Sequence, residues 1–66
     1  MTPDIEAQIA CVEREVRMRH RVYPRWVEAG RMTQAKADAE ILAMEAVHAT
    51  LLSLRQPPAQ GRLLDG

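Results

Sequence analysis

The chain has no phenylalanine, a single cysteine (Cys11) and two aromatic residues, Tyr23 and Trp26. One cysteine excludes an internal disulfide. A dense Cys/His metal set is also missing. Charge of one sign is not in excess, because nine basic residues balance nine acidic ones. No global field therefore points to nucleic acid or to an anionic membrane. No apolar run approaches the length of a membrane span, and no export signal opens the chain. With a lone free thiol, that pattern leads us to expect a cytoplasmic protein without a membrane role. A chain of 66 residues makes one small domain at most, and such a domain needs a staple or a partner to be stable. Disulfide and metal are unsupported, so a partner chain is the expectation.

What is present is helical. Thr2-Pro3-Asp4 reads as a helix start, with Thr2 as cap, Pro3 at the first helical position and Asp4 near the positive end of the dipole. Apolar residues then recur at Ile5, Ile9, Val12, Val16, Tyr23 and Val27, in steps that fit one helical face. Gly30 suits the position just past a helix end. Thr33 caps a second helix, whose stripe is Ala37, Ile41, Met44, Val47, Leu51 and Leu54, with His48 beside it. Pro57-Pro58 cannot continue it. The spacing predicts a helical hairpin over residues 1–56, with helices over about 3–29 and 34–55 and a turn at 30–33. Residues 57–66 read as a flexible C-terminal tail. The short turn makes the helices antiparallel neighbours. Two helices alone cannot enclose a core, so we expect an all-α antiparallel hairpin that homodimerises into a four-helix bundle.

The first helix carries more than one message. Cys11, Met18, Val22 and Ala29 form a second, weaker apolar stripe, either a contact with a second chain or tolerated surface. Arg14, Arg17, Arg21 and Arg25 form a third face. That row is either a basic patch or a solvated face with Glu13–Arg17 and Glu15–Arg19 pairs four residues apart. Arg19 and His20 interrupt the main stripe, and Glu40 flanks the apolar face of the second helix. Arg19 lies eleven residues before Gly30 and Glu40 ten after it. An Arg19–Glu40 pair across the hairpin would fix register more than add stability. The second helix also has a row of small residues, Ala35, Ala39, Ala46 and Ala49, with Leu42 among them. It reads equally as a close helix contact or as a solvent face of good helix formers.

Enzymatic constellations are thin. Cys11 and His20 fall on opposite faces of one helix, and no phosphate loop or nucleophile elbow is present. Glu45-x-x-His48 matches half of a di-metal carboxylate motif, but no glutamate of the first helix faces inward to complete it. We expect no enzyme, no metal and no cofactor. Two long helices also do not fit a helix-turn-helix DNA reader. Within "VYPRW", Pro24 removes a backbone donor and should kink the helix or start a new segment. Tyr23 and Trp26 flank it as apolar plugs or as interface anchors.

The stretch Arg14 to Val47, "REVRMRHRVYPRWVEAGRMTQAKADAEILAMEAV", resembles a group of small proteins encoded in phages and prophages of Gram-negative bacteria. The shared features are R-V-Y-P-R-W-V, a Gly-x-Met-Thr turn, Ala-x-x-Glu-Ile and a Met-x-Ala-Val run. The resemblance spans about half the chain and implies origin, with no catalytic residues to carry over. It implies a protein of the infected or lysogenic host cytoplasm that binds a host protein and modulates it. The candidate contact surface is Arg17, Arg21 and Arg25 with Tyr23 and Trp26, since arginine and aromatics anchor interfaces. The alternative is a nucleic-acid-binding accessory protein using the same arginines. Pro24, Gly30, Thr33, Arg19 and Glu40 are expected to be structural.

Overall fold

The computed structural model describes residues 2–55. The tail expected at residues 57–66 and the stop expected at Pro57-Pro58 lie outside the described residues. Two α-helices, α1 (Ile5–Glu28) and α2 (Gln34–Arg55), pack against each other as a helical hairpin.

The first cap differs from the expectation. Asp4, not Thr2, is the N-cap, and its Oδ1 accepts from the Ala7 amide at 2.8 Å. An aspartate in extended backbone satisfies one of the orphan amides and places its charge against the helix dipole. Pro3 therefore stands outside the helix, where its carbonyl accepts from Gln8 Nε2 at 2.9 Å.

At the other end, α1 closes in a Schellman arrangement. The Arg31 amide donates to the Trp26 carbonyl at 2.8 Å and the Gly30 amide to that of Val27 at 3.0 Å. Gly30 has φ +77°, the left-handed conformation that costs a glycine nothing. Thr33 then caps α2, its Oγ1 accepting from the Lys36 amide at 3.1 Å. Two caps and one glycine thus set a tight reversal, and the helices must run antiparallel.

Pro24 does not divide the first helix, which continues as one element through Glu28. The lost donor leaves the His20 carbonyl without its usual partner. Pro24 itself is exposed.

The core is small. Among the described residues, Ile9, Tyr23 and Ala37 are the buried apolar side chains. Ile5, Val12, Val16 and Val27 of α1 are half-buried, as are Ile41, Met44 and Leu51 of α2. The stripe expected on α2 is corrected at two places. Val47 is 45% exposed and Leu54 69% exposed. His48 takes the inward position instead, in step with Ile41 and Met44. Seven-residue spacing explains this. Positions 37, 44 and 51 and positions 41 and 48 form the two lines of a narrow seam. Val47 falls just beyond its edge.

Candidate interaction surfaces

The hairpin has a seam, two broad sides flanking it, and the outer backs of its two helices. Each carries a different chemistry.

One broad side is a ladder of cross-helix polar pairs. Glu6, Glu13 and His20 stand seven residues apart on α1. Glu6 Oε1 meets Arg55 Nη1 at 3.2 Å, Glu13 Oε2 meets His48 Nε2 at 3.0 Å, and His20 Nε2 meets Glu45 Oε2 at 3.2 Å. Partners lie at similar distances either side of the turn, as antiparallel packing requires. The Glu-x-x-His pair is thereby separated: Glu45 turns to His20 and His48 to Glu13. No three carboxylate, histidine or cysteine groups converge among the described residues.

The opposite broad side divides at mid-height. Toward the turn it holds a paired charge cluster. Arg19 reaches Glu40 Oε1 at 3.3 Å and Glu15 Oε1 at 3.5 Å, and Lys36 reaches Glu40 Oε2 at 3.4 Å. These separations are long for hydrogen bonds, so attraction between charges contributes most of their energy. Arg19 is the most covered of the four, with 17% of its side chain exposed, and its buried Nε finds no partner among the described residues. Its guanidinium lies 5.7 Å from the Tyr23 ring centroid. Tyr23 stacks on Trp26 at 5.5 Å, and Arg31 covers Trp26 at 5.4 Å. The order cation, ring, ring, cation satisfies the face of each ring and clamps α1 to the turn.

Toward the chain ends the same side is apolar. A groove runs between the helices, lined by Ala7, Gln8, Cys11, Val12, Val47 and Leu51 and bounded by Pro3, with the Gln8 amide tied to the Pro3 carbonyl. Cys11 is exposed at its rim.

The outer back of α1 holds the arginine row. Arg14, Arg17, Arg21 and Arg25 are all exposed, and none joins an ion pair among the described residues. Glu15 pairs with Arg19 as its spacing suggests. The expected Glu13–Arg17 pair does not form, because Glu13 has turned to His48. The row spans roughly 16 Å at 1.5 Å per residue. Tyr23 is 8% exposed, which removes it from the contact surface proposed on sequence. Its ring belongs to the hairpin interior, and Trp26 is half-buried beside it.

The outer back of α2 is free of charge over Ala35, Ala39, Leu42, Ala46 and Ala49, all exposed. Leu42 is 66% exposed. None of the described helices is long and apolar enough to cross a membrane. No family model matches the chain, and neither curated proteins nor solved structures give a match.

Proposed function

We propose that the protein is a small, non-enzymatic protein-interaction module that works as a homodimeric four-helix bundle. The observation that carries this reading is the mismatch between apolar content and burial in α2. From Ile41 to Leu54 the helix has one formally charged residue, Glu45, yet Leu42, Val47 and Leu54 are left exposed. A helix apolar on nearly every side is ordinarily covered on more than one side. The hairpin covers one.

The arginine row is the second contact surface. Four guanidinium groups on one helix back, none in an ion pair among the described residues, fit an acidic protein surface, where carboxylates accept paired N–H donors. The resemblance to phage-encoded proteins supports a host protein as that partner, in the bacterial cytoplasm. The competing reading is a nucleic-acid-binding accessory protein, and the same arginines favour it. Two observations weigh against it. The net charge is zero, and no aromatic platform for bases lies along the row, since Tyr23 is buried and Trp26 is covered by Arg31.

The test pairs two measurements. A gel shift on duplex and single-stranded DNA at moderate salt is expected to be negative. Capture of a host protein from bacterial lysate is expected to succeed with the native chain and fail with Arg21→Glu. A DNA shift that Arg21→Glu abolishes would reverse the order of the two readings.

A further inference from the structure

We infer that the second copy seats on the broad side formed by Ala7, Cys11 and Val12 of α1 with Val47, Leu51 and Leu54 of α2. The inference rests on the dimer reading above and assigns it a surface.

A two-fold contact brings each patch against its own copy. The back of α1 would set four arginines against four more, and like charges across an interface are strongly unfavourable. The ladder side carries polar pairs along its whole length, from Glu6–Arg55 through Glu13–His48 to His20–Glu45, so a contact there would desolvate ionisable groups throughout. The groove side has neither problem, and where the uncharged back of α2 offers alanines with Leu42 as the large side chain, it offers Val12, Val47, Leu51 and Leu54. Its terminal half carries apolar residues. The formal charges of its turn half, Glu15, Arg19, Lys36 and Glu40, are already paired with one another. A zero net charge adds no long-range opposition.

The size also fits. Two helices side by side present about 20 Å by 33 Å of projected face, comparable with the roughly 800 Å² that each partner contributes to a stable interface. The second stripe of α1 falls on this side, with Met18 and Val22 half-buried in line with Cys11. Val47 and Leu54, displaced from the seam, acquire a contact there.

Sedimentation equilibrium on the full chain tests the assignment. The native chain and Arg21→Glu are expected to dimerise with similar affinity. Val47→Arg and Cys11→Arg sit at exposed positions of the hairpin, and each is expected to weaken the dimer by at least about 100-fold, because each buries an unpaired charge in the contact. A native chain that stays monomeric would overturn the dimer reading and this inference with it. A native dimer that both arginine variants leave intact would overturn the inference alone. Thiol reactivity of the native chain supplies a readout without substitution. Cys11 is expected to react with a thiol reagent about 10-fold more slowly once the chain is dimeric, since covered thiols are protected. Equal rates above and below the dimerisation range would contradict the assignment.

Discussion

Glu13 and His48 meet across the hairpin, with 3.0 Å between Oε2 and Nε2, and that contact takes Glu13 away from Arg17 one turn along its own helix. The exchange has two consequences. It locks the seam near its middle, and it leaves Arg17 without the acid four residues before it. A double-mutant cycle between Glu13 and His48, using alanine at each, should give a coupling of about 0.5–1 kcal/mol for this partly exposed pair. The corresponding cycle between Glu13 and Arg17 should give a value near zero. Chemical denaturation followed by circular dichroism measures both.

The assignment of Asp4 as N-cap separates two neighbouring side chains. Asp4→Ala should lower stability by about 1 kcal/mol, the usual cost of losing such a cap. Thr2→Ala should change it by less than about 0.5 kcal/mol. Thr33→Ala, at the start of α2, should resemble Asp4→Ala. Melting curves of the three variants under one condition decide the matter.

Gly30 tests conformation apart from space. A Cβ there would meet nothing within 4 Å, so steric clash is not the obstacle. The left-handed φ is, and a residue with a Cβ pays roughly 1–2 kcal/mol for it. Gly30→Ala should destabilise by that order, and Gly30→Asn should cost less, since asparagine tolerates this conformation. A fall in melting temperature that is equal for both variants would argue against a conformational origin.

Pro24 is an exposed proline inside a continuous helix. Pro24→Ala restores a donor for the His20 carbonyl and should stabilise the chain by about 1–3 kcal/mol, offset in part by the freer unfolded state. If the variant keeps its fold and its oligomeric state but loses capture of its partner, the proline serves the interaction rather than the hairpin.

The hairpin itself was legible because its signals are local. Gly30 and Thr33 each dictate a backbone conformation within a few residues, and the Ile5-Ile9-Val12-Val16 spacing defines one face without reference to the rest of the chain. The Arg19–Glu40 pair was legible from heights measured either side of the turn. The failures are tertiary. Val47 and His48 lie about 100° apart on the helix, and hydrophobicity favours Val47 for the inward place. His48 takes it because Glu13 on the opposing helix supplies a partner for its ring. Tyr23 and Trp26 could not be divided by pattern, since both fall near the seam. The separation came with the Arg19 guanidinium, which lies over the Tyr23 ring at 5.7 Å and helps bury it, while Trp26 stays half-buried.

The mass of the chain in solution tests the central claim most directly. The claim is that a hairpin leaving Val47 and Leu54 exposed completes its core with a second copy. Light scattering at micromolar concentration should return twice the 7.5 kDa mass of one chain, falling toward the single mass on dilution. A species of 7.5 kDa that persists at high concentration and melts cooperatively would contradict the account.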